Sequence, residues 1–376
     1  MADAVLCAAA AQSLAALPPQ RSFQVVVGFD GFIDNIIDVV GKRESVTAYN
    51  AIPTIADFGS RVSAAAGQSA NFELVVKKSK IGGNGPIMAN ALCSYNLKVT
   101  AIGLLGEGAI DPVFAPLAAR AAKAISLGGA AVTDALEFAD GKLMLGKLLP
   151  MDQVTYKRLV EVIGAAKLRE LLGAADGVVT VNWTMTLGMT EIWTRLAAEV
   201  LPGLRQDRPL WFIDLADPAK RTLSDVRAAL DAMVQLQAHV DVVLGMNGAE
   251  CRQVLEALGE RWSDATPEWE AARAGCALVR ERLGLAWTMC HLVRSAACAW
   301  KRDGGGSVGV DGFFDPKPLI TTGAGDHFNA GFLSSLLAKL DPAHALIIGG
   351  ATSGYYVRSG ISPTREQTLG FIRSFA

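Results

Sequence analysis

Residues 320–333, ITTGAGDHFNAGFL, place two glycines around an alanine, then an acid, and then an apolar pattern at helical spacing. Small residues let a backbone approach an anion closely, and the first free N–H groups of a helix favour negative charge. A carboxylate at the mouth of such a site suits a general base that deprotonates a hydroxyl attacking a phosphoryl group. Asp326 is equally well explained as an N-cap or first-turn acid, so this stretch alone leaves both interpretations open.

A second glycine cluster lies in residues 81–92, IGGNGPIMANAL. Gly82 and Gly83 follow a strand pattern, and Asn84 stands where its side chain offers a donor and an acceptor to hydroxyl groups. A polyol site and a plain strand-to-helix junction explain this motif equally well. A dinucleotide fingerprint does not, because it needs a glycine where the chain has Met88.

Short apolar runs alternate with helical patterns over most of the chain, which is typical of a doubly wound α/β fold. Continuous apolar strands also indicate a parallel sheet covered by helices on both faces. The strand-like runs are residues 23–34, 98–106, 177–183, 209–216, 240–247 and 287–293. Helical patterns cover residues 85–96, 190–204 and 268–284.

Two segments interrupt this alternation. Residues 33–80 show little of it, and residues 131–147 indicate two short strands around the turn at Ala139, Asp140 and Gly141. A small β-rich flap formed by both segments would account for the interruption. The sequence therefore predicts a single domain over residues 1–376, with a lid made of segments 33–80 and 131–147.

Composition excludes several classes of function. The 376 residues are 51% hydrophobic and carry a net charge of -2, which does not suit a nucleic-acid-binding surface. The six cysteines are scattered without zinc-site spacing, and no apolar run is long enough for a membrane helix. The N-terminal stretch lacks the basic segment of a signal peptide. We therefore expect a cytoplasmic protein with a small-molecule partner and no nucleic acid or membrane partner.

Polar residues follow several predicted strands. In open α/β sheets ligands bind beyond the carboxyl ends of the strands, so these side chains are candidates for a common site. For any one of them alone, a turn or a helix cap is the better explanation. They are Asp30, Asp34, Asn182, Asp214, Asp217, Asn247 and Glu250.

These motifs together resemble the ribokinase-like, or PfkB, family of carbohydrate kinases. The N-terminal signature of that family is similar to GGNGPIMANAL followed by VTAIGLLGEG, and its C-terminal signature is similar to TTGAGDHFNAGF. GMNGAE supplies an Asn-x-x-Glu element, and GYYVRSGISPT resembles the segment after the last large helix. The resemblance covers nearly the whole chain. It implies a ribokinase-like α/β fold with a mostly parallel central sheet.

The resemblance implies a role for each residue of the C-terminal motif. Asp326 would be the catalytic base, and the amides of Gly323, Ala324 and Gly325 would form the anion hole for the transferred phosphoryl group. Thr322 would contact the nucleotide.

It also implies ATP and Mg²⁺ as cofactors. Asn247 and Glu250 would organise Mg²⁺ near the nucleotide phosphates, with Glu250 acting through water.

The acceptor side is implied in the same way. Gly82, Gly83 and Asn84 would hold the hydroxyls of the acceptor, together with an acid after the first strand. Asp34 is the better match for this acid, and Asp30 stays open. The lid would close to exclude water. Two lids could pair through exposed strand edges, so a homodimer is an open option.

The chain departs from the family pattern at two places. Many members have an acid that helps to hold a monovalent cation where this chain has Ile320, so potassium activation is not predicted. The family often has a Thr-Leu-Gly turn near the nucleotide, whereas this chain has LVRSAACAW at residues 292–300. Contacts to the adenine and ribose are therefore not assigned from the sequence.

Three hypotheses about function follow. The leading one is ATP-dependent phosphotransfer to a hydroxyl of a sugar or sugar-like molecule. A nucleoside kinase of the same fold is the second, for which Phe29, Phe32 and Phe138 could form a platform unless they only pack in the core or lid. The third is a catalytically silent sensor that binds sugar and nucleotide.

Overall fold

The computed structural model describes residues 2–18, 23–204, 207–302 and 304–376 of the chain. Within them, the β-strands are β1 (Gln24–Gly28), β2 (Phe32–Arg43), β3 (Tyr49–Ala51), β4 (Leu74–Gly82), β5 (Lys98–Gly103), β6 (Lys123–Ser126), β7 (Ala131–Phe138), β8 (Gly141–Lys147), β9 (Gly177–Val181), β10 (Leu210–Asp214), β11 (Asp241–Asn247), β12 (Trp287–His291), β13 (Ser295–Trp300) and β14 (Gly306–Asp311). The α-helices of the same residues are α1 (Ala4–Ala15), α2 (Ile55–Ala64), α3 (Asn84–Ser94), α4 (Ala115–Arg120), α5 (Tyr156–Ile163), α6 (Ala165–Ala174), α7 (Met189–Arg195), α8 (Leu223–Gln237), α9 (Gly248–Ala257), α10 (Glu268–Leu283), α11 (Ala324–Leu337), α12 (Pro342–Ser359) and α13 (Arg365–Arg373). Each predicted strand and helix pattern therefore corresponds to an element of the structure.

The larger sheet runs in the order β14-β13-β12-β11-β10-β9-β1-β5-β6. Its strands from β12 to β6 pair in parallel, whereas β13 and β14 pair antiparallel at one edge. Successive side chains of a strand point to opposite faces, so Val178 joins one apolar core while Val179 and Val181 join the other. The predicted doubly wound, mostly parallel sheet with helices on both faces is confirmed.

A second, smaller sheet is built from the two segments that interrupt the alternation. In it β2 pairs antiparallel with β4 and in parallel with β7, and β7 and β8 form a hairpin. Its apolar core consists of Ile37, Val39, Ile52 and Leu136, against which Phe58 packs. The predicted small β-rich unit is confirmed, and the segment 33–80 contains helix α2 in addition to strands.

The N-terminal stretch forms α1, which Asp3 caps by accepting a hydrogen bond from the Leu6 amide at 2.8 Å. This helix packs against α12 and α13. Among the described residues, no helix has both the length and the apolar character needed to cross a membrane.

Helices α11 and α12 cross at very short distance because glycines lie at their contact. A Cβ atom on Gly331 would lie 2.3 Å from Thr352 Oγ1 and 3.0 Å from both Gly349 Cα and the Ile348 carbonyl oxygen. Thr352 cannot easily move aside, since its hydroxyl donates to the Ile348 carbonyl and is hydrogen-bonded to the Tyr95 hydroxyl. The position of α11 on the sheet therefore depends on this glycine contact.

We expect Gly331→Ala to lower the free energy of unfolding by about 1–3 kcal/mol, the usual cost of overpacking a dense core. Gly370→Ala is the matched control, because Gly370 lies inside α13 with no atom within 4 Å of the added carbon. Alanine is favoured over glycine inside helices, so this control should gain about 0.5–1 kcal/mol. Chemical denaturation measures both, and equal effects would contradict the packing argument.

Candidate active site

The glycine turn of the C-terminal motif begins helix α11. Gly323 is its N-cap residue, with φ +87°, and Asp326 is the third residue of the helix. Of the two structural interpretations of Asp326, the N-cap is wrong because Gly323 fills that position, whereas the first-turn acid is confirmed. Within the described residues, the amides of Gly323 and Gly325 donate to no other residue, whereas the Ala324 amide donates to the Thr321 carbonyl at 3.1 Å. The Ala324 amide could therefore contribute to an anion hole only if its N–H were shared between the Thr321 carbonyl and the anion.

Asp326 is buried, with 5% of its surface exposed. Its Oδ1 accepts a hydrogen bond from Asn84 Nδ2 at 3.0 Å, which joins the two glycine motifs across the chain. Burial raises the pKa of Asp326 to about 7, with a further contribution from Asp30 and Glu250, against the effect of the Asn84 hydrogen bond. A carboxylate with this pKa can accept a proton efficiently near neutral pH.

Asp30 caps helix α3. Its Oδ1 accepts from the Gly85 amide at 2.8 Å, and its Oδ2 accepts from the Asn84 amide at 2.9 Å and from Asn182 Nδ2 at 2.8 Å. Burial raises its pKa to about 6 despite these hydrogen bonds. Both oxygens are already engaged, so the geometry does not favour Asp30 as a ligand of the acceptor.

Asp34 lies on β2, opposite Lys80 of β4 and Thr133 of β7. Gly82 leaves room for it, because a Cβ atom there would lie 2.2 Å from Asp34 Oδ1. Burial raises the pKa of Asp34, while Lys80, Lys142 and the Thr133 hydroxyl act in the opposite direction. Asp34 therefore meets the N-terminal glycine motif on the side of the small sheet.

The Asn-x-x-Glu element forms a capping box at the start of α9. Asn247 Oδ1 accepts from the amides of Ala249 and Glu250, at 2.9 and 3.0 Å. The Glu250 carboxylate accepts from the amides of Asn247 at 2.7 Å and Asp217 at 3.0 Å. Burial and the nearby Asp214 raise the pKa of Glu250 to about 8.

Asp214 connects the strand ends to helix α11. Its carboxylate accepts from the Ala216 amide at 2.9 Å and from Asn329 Nδ2 at 2.7 Å, one turn beyond Asp326. Burial, followed by the charge of Asp326, raises its pKa to about 7. The sequence placed Asp214 at a strand exit but gave no sign of its contact with α11.

Buried carboxylates with raised pKa values fit a divalent cation, which prefers oxygen ligands. Over the residues that the structure describes, no three side chains of the ligand types His, Cys, Asp and Glu form a complete metal cluster. Carboxylate oxygens are among the ligands that Mg²⁺ uses, so Asp214 and Glu250 are the residues that could hold it.

A cavity of about 510 Å³ lies beside the turn, lined by β12, β13, β14, α11 and α12. Gly325, Thr321 and His291 line it, and the guanidinium of Arg294 lies 3.6 Å over the ring of Phe314 at its wall. Thr321 lines this cavity, and Thr322, which the resemblance assigns to the nucleotide, is not among the lining residues. The sequence did not indicate this cavity, because the walls of the cavity come from segments that are distant along the chain.

The aromatic platform considered for a nucleoside is not present as such. Phe29 and Phe32 are buried in the main core, with 1% and 6% of their surfaces exposed. Phe138 stacks on Phe58 within the small sheet, at 5.6 Å between ring centroids. All three side chains pack in the core or the small sheet.

A doubly wound sheet with a small second sheet, a buried carboxylate beside a glycine turn and an adjoining cavity is the arrangement expected of the ribokinase-like class. Solved structures show the same fold. A carbohydrate kinase from Agrobacterium tumefaciens has a TM-score of 0.62 at 17% identity, covering 93% of this chain and 97% of its own. Ribokinase from Arabidopsis thaliana, complexed with ribose and ATP, has a TM-score of 0.60 at 16% identity, covering 94% and 99%.

The family model for prokaryotic ketohexokinase matches residues 3–375. A ketohexokinase from Haloferax volcanii is 30% identical over 354 residues, which cover 94% of this chain and 91% of that protein. The chain therefore belongs to the prokaryotic ketohexokinase family. It is a carbohydrate kinase that uses ATP to phosphorylate a sugar.

The cap formed by Asp30 predicts a specific loss of stability. Asp30→Asn keeps the size of the side chain but replaces one accepting oxygen with a donor, which leaves a buried amide unsatisfied. We expect the free energy of unfolding to fall by about 1–3 kcal/mol. Asp3→Asn is the control, since an exposed N-cap accepts asparagine equally well. Similar denaturation midpoints for both variants would contradict the assigned role of Asp30.

Proposed function

We propose that this carbohydrate kinase phosphorylates a ketohexose, with Asp326 as the general base. The observation that carries the catalytic part is the burial of Asp326 in the first turn of a glycine-capped helix, where its pKa is raised to about 7. The acceptor class is inferred from the Haloferax volcanii relative, which is a ketohexokinase.

In the proposed reaction, Asp326 accepts the proton of a sugar hydroxyl while that oxygen bonds to the γ-phosphorus of ATP. The bond from this phosphorus to the bridging oxygen breaks, and ADP leaves with the electron pair. The side-chain amide of Asn84 orients the carboxylate, since its Nδ2 donates to Asp326 Oδ1 at 3.0 Å. The side-chain oxygen of Asn84 is an acceptor that can bind a hydroxyl of the sugar.

The glycine turn is proposed to bind the transferred phosphoryl group. The free amides of Gly323 and Gly325 support this role, and the N-terminus of α11 adds positive potential. Ala324 would contribute its shared amide. Donors fixed before the reaction stabilise charge as it develops without reorganising.

Mg²⁺ is proposed to bind beside Asn247, Glu250 and Asp214. When bound, the cation offsets negative charge on the phosphates of the nucleotide. Glu250 is expected to act through water, because both of its oxygens already accept backbone amides. The raised pKa values of Glu250 and Asp214 support a site that favours added positive charge.

ATP is proposed to occupy the cavity beside the turn. A volume of about 510 Å³ lies in the usual range for small-molecule sites. The larger part of the cavity wall is apolar, and polar side chains such as Asn247, Arg252 and Thr321 also line it. Thr321 lines the cavity next to the turn. A contact between Thr322 and the nucleotide stays a prediction from the sequence resemblance.

The acceptor is proposed to bind between the glycine motif of β4 and α3 and the small sheet. Asp34 is the proposed ligand of its hydroxyls, with Gly82, Gly83 and Asn84 beside it. The small sheet would act as the lid of a single-domain enzyme and exclude water. Pairing of two lids in a homodimer and a cytoplasmic location stay predictions from the sequence.

Asp326→Asn should lower kcat by about 10²–10⁴-fold, because asparagine cannot accept the proton. The affinity for ATP, measured by calorimetry, should stay nearly unchanged. For the native enzyme, kcat/KM should rise with pH and level off above about 7, since only the ionised carboxylate is a base. Asp341→Asn, at the N-cap of α12, is the control. Retained turnover in Asp326→Asn would overturn the assignment of the base.

Asp34→Asn should raise KM for the sugar about 10-fold or more, since a hydrogen bond to a charged group contributes about 1.5–3 kcal/mol. KM for ATP should change little.

An ADP-release assay with ketohexoses, aldohexoses and nucleosides tests the acceptor class for the native enzyme. Preferred turnover of nucleosides would replace the ketohexose proposal, and binding without any phosphotransfer would indicate a silent sensor.

A further inference from the structure

Two buried side chains form hydrogen bonds to carbonyl groups of the glycine turn. The Tyr356 hydroxyl donates to the Thr322 carbonyl oxygen at 2.9 Å, and His327 Nδ1 lies 2.6 Å from the Gly323 carbonyl oxygen. The Gly323 oxygen also accepts from the backbone amide of His327 at 3.1 Å. Two consecutive peptide groups of the turn, which carry the Gly323 and Ala324 amides, are therefore fixed through their carbonyl oxygens.

The contacts of His327 determine which ring nitrogen carries the proton. A carbonyl oxygen only accepts, so Nδ1 must be the donor to Gly323, and in the neutral ring Nε2 is then an acceptor. Ser362 Oγ lies 2.8 Å from Nε2 and donates to it, and Asn90 Nδ2 donates to Ser362 Oγ at 3.0 Å. Burial lowers the pKa of His327 to about 4, so the neutral ring is the form present at neutral pH.

The two side chains also fix each other. The rings of His327 and Tyr356 stack at 3.6 Å between centroids and 12° between planes. His327 is 1% exposed and Tyr356 is 8% exposed, so neither ring has room to reorient. The stacked pair thus presents two donors to the turn in a fixed geometry.

The geometry of the peptide bond transmits this constraint to the amides. In a trans peptide the C=O and N–H groups point in opposite directions. Holding the Thr322 carbonyl therefore fixes the direction of the Gly323 N–H. Gly323 adopts φ +87°, and a Cβ atom there would lie 3.2 Å from the Tyr356 hydroxyl oxygen. The turn needs glycine at this position, and glycine is the residue with the greatest backbone freedom to lose.

We propose that His327 and Tyr356 are positioning residues for the glycine turn. Tyr356 fixes the direction of the free Gly323 amide, and His327 holds the next peptide group, which carries the Ala324 amide, so that the turn stays directed at the transferred phosphoryl group. This inference rests on the proposed anion-binding function of the turn. The His327–Tyr356 pair does not line the cavity proposed for ATP. The pair holds the turn in one conformation before the reaction. A turn fixed in this way stabilises the transition state more than it stabilises the bound substrates.

Tyr356→Phe tests the inference with the loss of a single oxygen atom. We expect kcat to fall about 10-fold, less than the 10²–10³-fold loss that follows removal of an oxyanion donor itself. KM for sugar and for ATP should each change less than about 3-fold, since the interaction acts mainly in the transition state. Tyr355→Phe is the matched control on the same helix, where the ring of Tyr355 packs against Phe371.

His327 offers a second, independent test. His327→Asn places an amide donor near the position of Nδ1 and should keep most of the native kcat, whereas His327→Leu removes the donor and should lose about 10-fold. The affinity for ADP with aluminium fluoride and sugar, a mimic of the transferred phosphoryl group, should weaken in Tyr356→Phe and His327→Leu. The affinity for ADP alone should not change.

The outcomes separate this inference from the proposed function. Native kcat in both Tyr356→Phe and His327→Leu, alongside an inactive Asp326→Asn, would overturn the positioning role and leave the base intact. A kcat loss that is equal in Tyr355→Phe, or equal in His327→Asn and His327→Leu, would also overturn it. An active Asp326→Asn would instead reject the proposed function on which the inference rests.

Discussion

The site depends on the burial of four carboxylates beside the carboxyl ends of the strands of the larger sheet. Asp30, Asp214, Glu250 and Asp326 each have at most 6% of their surface exposed. Within the described residues, none of them forms an ion pair with lysine or arginine. Backbone amides at the starts of helices and asparagine side chains stabilise these carboxylates instead. Their negative charge is therefore not neutralised by a cationic side chain.

This constraint explains how one set of acids can serve different purposes. Burial raises the pKa of both Asp30 and Asp326. They differ in their hydrogen bonds, because three donors occupy the oxygens of Asp30, whereas Asp326 accepts one side-chain hydrogen bond, from Asn84. Burial, followed by the negative charge of Asp214, raises the pKa of Glu250 to about 8. Asp30, with three donors, anchors a helix, whereas Asp326, with one, has an oxygen that can accept a further hydrogen bond.

Local patterns in the sequence predicted what depends on neighbouring residues. Continuous apolar runs predicted the parallel strands, and the two glycine motifs predicted the turns that begin α3 and α11. The pattern could not separate Asp30 from Asp34, because the difference is which of them meets the amides of Asn84 and Gly85. It also missed the cavity, whose walls come together only in the folded chain. Side chains that meet over long sequence separations leave no periodic signal.

The contact of α11 with α12 links the packing of the fold to the glycine turn. Gly331 lets the two helices approach closely beside Gly349 and Thr352. Tyr356 lies one turn beyond Thr352 on α12, so the same close approach brings its hydroxyl to the Thr322 carbonyl. A wider helix crossing would withdraw this donor even if the turn kept its sequence. The geometry of the turn is therefore set by glycines in a distant core contact as well as by its own residues.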